Sequence, residues 1–299
     1  MRAARRSLAT LRWRLAPLRA AFGEDRATDV TEARIERYRA ERLASKTRHG
    51  TGPRATAPAT INRELTVLKR AFSLAVKQKR LSAAPTSELL EEAPPRQGFL
   101  EPAAFERVVR HLPTDLQDFA RFGYLPGWRK GEIWRLTWPD VDRTGGRIAL
   151  RREHSKNGEP RVLPLVGELA ELVERRWTAR EYETPGGTTA LAPFVFHRDG
   201  QPAGDFRKAW ATACEAAGVA GTLFHDLRRS AVRNMDRAGV SQSVAMALSG
   251  HKTASVYRRY RIVAEDDLRE ALARMQASLT ARPAAIVTPI REAAERVSR

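Results

Sequence analysis

Apolar residues recur at three- and four-residue steps along the first part of the chain, which is the spacing of amphipathic helices. Pro17 lies inside the first such stretch. We expect it to break or kink that helix, because proline has no amide hydrogen to donate. The apolar positions of this stretch are Leu8, Leu11, Leu15, Leu18 and Phe22.

Two more helices are predicted in the same region, on either side of a basic loop. One begins near Thr31, a candidate N-cap, and extends to Leu43. The loop that follows is rich in glycine and proline. We expect Thr60 to cap the next helix, whose apolar positions are Ile61, Leu65, Leu68, Phe72 and Ala75. These elements predict a small helical bundle with basic outer faces.

The pattern changes in the second half of the chain, where strands are indicated before helices return. Residues 138–165 carry strand signals, and Gly145-Gly146 and Asn157-Gly158 mark two hairpin turns. Helices are predicted over about 226–237 and from Ser241 to Ser249, which Gly250 ends. Two further helices have apolar faces made of Phe206, Trp210, Cys214 and Ala217, and of Leu268, Leu272, Met275 and Leu279.

The adjacent residues Pro94 and Pro95 cannot continue a helix and mark a domain boundary. The predicted fold class is mainly α with a small β-sheet, in which a helical N-terminal domain precedes a mixed α+β domain. The expected division is a helical domain over 1–92, a linker over 93–98, a mixed domain over 99–280 and a C-terminal tail over 281–299.

The charge balance adds a candidate partner to this picture. The 299 residues include 53 Lys and Arg against 35 Asp and Glu, a formal net charge of +18. Such an excess favours a polyanionic partner, above all nucleic acid. A genome with a strong base bias produces a similar excess, so the charge alone assigns no function.

The single cysteine, Cys214, excludes an internal disulfide and a cysteine-based zinc site. Its neighbours indicate a small core residue. No apolar run has the length of a membrane span, and Arg12 and Arg14 interrupt the stretch that a signal peptide would need. We expect a cytoplasmic protein without membrane contact.

Polar residues of the second domain form a pattern that carries chemistry. Arg129 lies in a turn followed by a helix start, and His225 and Arg228 are one helical turn apart. Gly250-His251 ends a short helix, and Tyr260 follows nine residues later. Each of these residues taken alone is more often a solvated or structural side chain than a functional one.

In order and spacing, these motifs resemble the tyrosine recombinase, or phage integrase, family. The family pattern has an arginine in a Gly-x-Arg-x-x-Glu context, a lysine on a β-hairpin, a His-x-x-Arg pair, a Gly-His and a terminal tyrosine. The resemblance covers roughly Pro58 to Leu279, and residues 60–65 look like part of the family's core-binding domain. Pro126 stands where the family commonly has threonine, which alters the turn before Arg129.

The resemblance implies how a scissile DNA phosphate is bound. Arg129 and Arg228 clamp its non-bridging oxygens, His251 donates a hydrogen bond to it, and Glu132 supports the first arginine. Physical chemistry agrees, because the planar guanidinium fork matches phosphate and positioned cations stabilise the charge of the transition state. Neither a metal ion nor a cofactor is implied.

The resemblance also implies the covalent chemistry. Tyr260 attacks phosphorus and forms a 3′-phosphotyrosyl bond, Lys156 on its hairpin is the general acid for the departing 5′-oxygen, and His225 assists proton transfer. Tyr257 lies one turn earlier and is a rival nucleophile, but the spacing from the Gly-His pair favours Tyr260.

The partners implied by the resemblance are double-stranded DNA and further copies of this chain. We expect a homotetramer in the synaptic complex, and a monomer or weak oligomer without DNA. The last helix either docks into a neighbouring subunit or packs on its own domain. We expect the chain to lack the extra arm-binding domain of some integrases, and its first core-binding helix to be shortened or absent. Candidate DNA contacts are Arg48, Arg54, Arg63, Lys69, Arg70, Lys77 and Lys130.

Three alternatives to site-specific recombination stay open at this point. A type IB topoisomerase uses a similar set of residues to relax supercoils without a partner site. A DNA-binding protein of the same fold could have lost the chemistry. A basic RNA-binding protein would explain the charge and nothing else.

Overall fold

The computed structural model describes residues 2–49, 52–94, 96–155, 158–260 and 265–281. The chain divides into two compact units, Met1–Pro95 and Arg96–Arg299. Both units are mainly helical, with small antiparallel sheets, which confirms the predicted fold class. Among the described residues, no helix is both long and apolar enough to cross a bilayer.

The described residues of unit 1 form three helices and a β-hairpin. Its elements are α1 (Arg2–Phe22), α2 (Glu32–Ala44), β1 (Lys46–His49), β2 (Gly52–Ala55) and α3 (Pro58–Lys77). The apolar face predicted for α3 is the centre of the unit, because Ile61 and Leu65 are fully buried. The other buried apolar residues of this core are Leu18, Val30, Ile35, Tyr38 and Phe72.

A buried carboxylate joins α2 to α3. The Glu64 side chain is 1% exposed, and it accepts hydrogen bonds from the Tyr38 hydroxyl at 2.7 Å and from Arg42 Nη2 at 2.7 Å. Burial and the neighbouring carboxylate raise the pKa of Tyr38 far above its ordinary value, so its hydroxyl keeps its proton. The two helices are therefore held in register by a charge that has no access to water.

Two predictions for unit 1 are wrong in detail, and of the break or kink expected at Pro17 the break does not occur. Helix α1 continues through Pro17, because packing of Leu18 in the core compensates for the hydrogen bond that the proline cannot make. The expected basic loop is the β1–β2 hairpin, in which Pro53 is tolerated because both strands are edges. Helix α3 begins at Pro58 rather than at Thr60, since proline fits the first turn of a helix.

Unit 2 places a three-stranded antiparallel sheet beside a set of helices. The sheet has the order β3 (Val141–Asp142), β4 (Arg147–Leu150), β5 (Arg161–Pro164), as the strand signals predicted. Two small hairpins are formed by β6 (Glu181–Glu183) with β7 (Thr189–Leu191) and by β8 (His197–Arg198) with β9 (Gln201–Pro202). The helices are α4 (Pro102–Arg110), α5 (Thr114–Tyr124), α6 (Lys130–Ile133), α7 (Glu168–Thr178), α8 (Arg207–Ala216), α9 (Leu227–Arg237), α10 (Gln242–Ser249), α11 (Ala254–Arg258) and α12 (Glu265–Ala281).

The core of unit 2 fixes the turn between α5 and α6. Phe122 of α5 is fully buried and meets the Trp128 ring edge-on at 5.5 Å. Gly127 has a φ of +69°, and a Cβ there would lie 2.9 Å from Ala231 of α9. The turn before α6 therefore packs directly against α9, with no room for a side chain at Gly127. Cys214 is a fully buried core residue as predicted, and burial raises its pKa to about 11.

We predict that Glu64→Leu lowers the free energy of unfolding by about 3 kcal/mol, because it leaves the Tyr38 hydroxyl and Arg42 without their partner in a dry core. Chemical denaturation of the full chain, followed by circular dichroism, measures this change. The matched control is Glu36→Leu, since Glu36 is half-exposed in its ion pair with Arg39 and should contribute less than about 1 kcal/mol. Equal effects of the two substitutions would contradict the prediction.

Candidate active site

Short, separate elements of unit 2 bring five of the six predicted catalytic residues together. Arg129 is the N-cap residue of α6, and Arg228 lies in the first turn of α9. His225 lies in the 3-10 turn just before α9, His251 follows the end of α10, and Tyr260 follows α11. The sixth predicted residue, Lys156, lies outside the described residues.

Glu132 holds Arg129 in place through both backbone and side chain. Its carboxylate accepts from the Arg129 backbone N–H at 3.1 Å and from Arg129 Nη1 at 3.0 Å. Burial alone would raise the pKa of Glu132, but the charges of Arg161 and Arg129 hold it below its ordinary value. Glu132 is therefore a buried carboxylate that holds the Arg129 backbone and side chain.

Arg228 is buried almost completely beneath the site. Its Nη1 donates to the carbonyl oxygens of Gly127 at 2.6 Å and Ser249 at 2.5 Å, and its Nε donates to His251 Nε2 at 3.2 Å. Burial and the charge of Arg129 lower its pKa. Its buried Nη2 has no hydrogen-bond partner among the described residues, which leaves one donor unused.

His251 is held as a neutral ring by a chain of hydrogen bonds. Its Nδ1 lies 2.7 Å from the Ser249 hydroxyl, which donates to the Ala245 carbonyl at 2.6 Å. A hydroxyl has one hydrogen, so Nδ1 must donate to Ser249, while Nε2 accepts from Arg228. Burial and the surrounding arginines lower the pKa of His251 to about 3. His251 Nε2 can donate to a phosphate only after two changes. The hydrogen bond from Arg228 must break, and Nε2 must gain a proton.

The two candidate nucleophiles differ in their surroundings. The Tyr260 hydroxyl lies 3.0 Å from His225 Nε2, and its ring lies 4.7 Å from that of His251 and 5.3 Å from the Arg228 guanidinium. Tyr257 is buried, with its ring packed edge-on against His251 at 5.4 Å. The Tyr260 hydroxyl therefore lies among the polar side chains of the site, whereas the Tyr257 ring packs against His251.

His225 is suited to accept the tyrosine proton. Partial burial and the charges of Arg228 and Arg229 lower its pKa, so the ring is neutral near pH 7. Its Nε2 faces the Tyr260 hydroxyl, and a neutral imidazole can accept a hydrogen bond at that atom.

Two side chains of the cluster, Ser249 and Arg161, were missed by the sequence analysis. Ser249 fixes the orientation of His251, as described above. Arg161 lies at the start of β5 with its Nη2 2.5 Å from Glu132 Oε2. The available signal was a position just after the predicted hairpin turn at Asn157-Gly158, but an arginine there is usually solvated.

The predicted DNA contacts outside the cluster have mixed surroundings. Lys130 packs its ammonium group 5.0 Å from the Trp134 ring and 4.9 Å from the Phe206 ring. The side chain of Arg48 lies outside the described residues. The remaining predicted contacts are exposed: Arg54, Arg63, Lys69, Arg70 and Lys77. Among the residues that the structure describes, no group of His, Cys, Asp and Glu side chains is arranged to hold a metal ion.

Comparisons with known proteins agree on one family. The model of the phage integrase family matches residues 100–266. The integrase of Salmonella phage P22 is 25% identical over 228 residues, which are 73% of this chain and 57% of that protein. Tyrosine recombinase XerD of Ralstonia nicotianae is 30% identical over 221 residues, which are 70% of this chain and 71% of XerD. The chain thus spans a little over half the length of the phage P22 relative.

Solved structures share the fold at lower sequence identity. A lambda integrase dimer bound to a COC′ core site has a TM-score of 0.66 at 17% identity, covering 86% of this chain and 71% of that one. A lambda integrase tetramer bound to a Holliday junction also has a TM-score of 0.66 at 17% identity, with 86% and 72% covered. The Tn1549 transposon integrase in complex with transposon right end DNA has a TM-score of 0.64 at 17% identity, with 87% and 91% covered.

We predict that replacing His251 makes stability less dependent on pH. Its pKa of about 3 lies below the ordinary value of about 6.5, so the unfolded chain binds more protons between these values. Stability is therefore complete above the unfolded pKa and is lost as the pH falls toward the folded one. The loss is at most about 1.4 kcal/mol per pH unit for this group.

Denaturation of wild type and His251→Gln at pH 7 and pH 5 measures this difference. We expect the variant to lose less stability over that interval, although other groups contribute to the pH dependence of both proteins. An unchanged loss would mean that the folded protein protonates His251 as readily as the unfolded chain does.

Proposed function

This chain belongs to the phage integrase family, and we propose from that membership that it is a site-specific DNA recombinase with Tyr260 as its nucleophile. The observation that carries the assignment of the nucleophile is the 3.0 Å contact between the Tyr260 hydroxyl and His225 Nε2, beside the buried guanidinium of Arg228. The reaction is integration, excision or resolution of a mobile element by breaking and rejoining DNA.

The arginines supply the binding of the scissile phosphate. Arg129 and Arg228 place planar donors on either side of the His251 turn, and the unused Nη2 of Arg228 is a donor for a phosphate oxygen. Charge that develops on those oxygens in the transition state is stabilised by cations already in place. By analogy with single donors in oxyanion holes, each such contact contributes on the order of 3 kcal/mol.

Cleavage then proceeds by proton transfers that balance. The Tyr260 oxygen attacks phosphorus and passes its proton to His225 Nε2, while the bond from phosphorus to the 5′-oxygen breaks. Lys156 gives a proton to the departing 5′-oxygen, a role that the family resemblance supports. In rejoining, a 5′-hydroxyl from the other duplex attacks the phosphotyrosyl ester and gives its proton to Lys156, which cleavage left neutral. The bond from phosphorus to the Tyr260 oxygen breaks, and Tyr260 regains the proton held by His225. The ester conserves the energy of the broken bond, so no ATP is required.

The substrate of this reaction is double-stranded DNA. We assign the helical part, residues 1–92, to a core-binding domain and residues 99–280 to the catalytic domain. Exposed basic residues on unit 1 support contact with the DNA backbone, and binding should weaken steeply as salt is added. Because the substrate is DNA, we place the protein in the cytoplasm.

A homotetramer is the proposed form of the synaptic complex, and the lambda integrase tetramer on a Holliday junction supports it. Helix α12 offers a surface for such an assembly. One face of it carries four apolar side chains that are 52–61% exposed: Leu268, Leu272, Met275 and Leu279. This exposure favours docking into a neighbouring subunit over packing on its own domain, the choice that the sequence left open.

We predict that the chain forms a covalent complex with fragmented DNA from its own source, and that Tyr260→Phe abolishes it by removing the attacking oxygen. Denaturation with detergent and capture of protein-linked DNA measures the complex, and sequencing of the captured fragments identifies the site. Tyr257→Phe is the matched control and should retain the complex, provided that it still folds.

The outcomes of this capture separate the candidate functions. If only Tyr257→Phe loses the covalent complex, the nucleophile is Tyr257, one helical turn before Tyr260. Covalent DNA at scattered sequences, together with relaxation of plasmids that lack the captured site, would indicate a topoisomerase. Absence of covalent DNA from wild type, with binding intact, would indicate a protein that has lost the chemistry.

We predict that Leu272→Ser combined with Met275→Ser prevents assembly of two duplexes without weakening binding to one. Removal of two exposed apolar contacts should reduce synaptic complexes at least tenfold, as measured by gel shift with two labelled duplexes of the captured sequence. Gln276→Ser, on the same helix, is the control. Normal synapsis by the double variant would show that α12 has no role between subunits.

A further inference from the structure

Arg161 is a largely buried cation to which the proposed chemistry gives no role. Its side chain is 11% exposed, and its guanidinium lies 4.4 Å from the Trp128 ring. Arginine is seldom buried unless it is paired, because removing its charge from water is unfavourable. A buried arginine beside a catalytic cluster therefore calls for a specific partner.

That partner is the carboxylate that also holds Arg129. Arg161 Nη2 lies 2.5 Å from Glu132 Oε2, and Arg129 Nη1 lies 3.0 Å from Glu132 Oε1. Glu132 is 2% exposed, so one dry carboxylate bridges two guanidinium groups. The position of Arg129 is thereby linked to that of Arg161.

We propose that Arg161 is a positioning residue for DNA cleavage, which orients Glu132 and Arg129 and links them to the start of β5. This role rests on the recombinase function proposed above. Arg161 is the first residue of β5. Fixing its side chain therefore fixes that end of the strand relative to Glu132.

The turn before His251 is shaped to admit this guanidinium. A Cβ at Gly250 would lie 1.8 Å from Arg161 Nη1, and Gly250 has a φ of +70°. The backbone conformation favours glycine at this position, and a larger residue would also displace the Arg161 side chain. Arg161 is in this way the point where β5, the α6 turn and the Gly250 turn meet.

Electrostatics give the arrangement a second effect. The charged side chains that act on Glu132 include Arg129 from the α6 turn, Arg161 from β5 and Arg228 from α9. Arg161 is the larger of the two charge effects that hold the pKa of Glu132 down. Without it, Arg129 would be left with a carboxylate that takes up a proton at a higher pH.

The test compares full-length wild type with Arg161→Met and Arg161→Lys. The probe is a nicked duplex of the captured sequence, in which cleavage is irreversible, and the measurements are DNA affinity and the single-turnover rate of covalent complex formation from pH 5 to pH 8. Arg147→Met is the matched control, because Arg147 lies in the same sheet with an exposed side chain paired to Asp142.

We expect Arg161→Met to reduce the rate about 100-fold, the scale of a misplaced reacting group, with DNA affinity changed less than about threefold. As the pH is lowered, the cleavage rate of this variant should begin to fall at a higher pH than that of wild type. The reason is that Glu132 takes up a proton more easily without Arg161. Arg161→Lys keeps the charge, so it should retain most of the wild-type rate. Its rate should also fall at the same low pH as that of wild type. Arg147→Met should match wild type.

A titration without DNA separates this proposal from the recombinase function. Carboxyl carbon NMR, with Glu132→Gln to identify the signal, should show a higher pKa for Glu132 in Arg161→Met than in wild type. If wild type makes no covalent DNA, the recombinase proposal fails while the titration still reports on Arg161. A wild-type rate in Arg161→Met would overturn the positioning role. So would equal loss of rate and of thermal stability in the Met and Lys variants, since that would show a structural role alone.

Discussion

Several positive charges occupy the candidate site at close range because one buried carboxylate lies between two of them. Glu132 separates Arg129 from Arg161, and both arginines lower the pKa of the more deeply buried groups Arg228 and His251. In a medium of low polarity, three guanidinium groups without a counter-charge would repel one another strongly. The carboxylate relieves this repulsion and still leaves a net positive site, which suits an incoming phosphate.

A second buried carboxylate, Asp226, supports the other side of the site. It has no exposed surface and accepts from Arg229 at 2.8 Å, from Arg96 at 2.9 Å and from the Leu223 backbone N–H at 2.8 Å. These contacts hold the turn that presents His225 to Tyr260. The two carboxylates together hold the arginines and the imidazole-bearing turn of the candidate site in fixed positions.

Much of this arrangement could be predicted from the sequence, because spacing and motif order report directly on helices and on a known site. The faces of α3 and α8 and the ends of α9 and α10 lie close to where the pattern put them. Helix α1 does not break at Pro17 because tertiary packing overrides a local signal, and α3 starts before Thr60 because proline fits the first turn of a helix. Arg161 was missed because nothing local distinguishes a buried arginine from a solvated one.

Helix α9 connects the phosphate site to a distant contact. It carries Arg228 in its first turn, and Arg237 at its last residue pairs with Asp267 of α12 at 2.6 Å. The apolar face of α12 is thus linked through Arg237 to the helix that carries Arg228. In the assembly proposed above, a second subunit on that face would bind an element that is paired to this helix. Assembly of subunits and the position of Arg228 would then be coupled through α9.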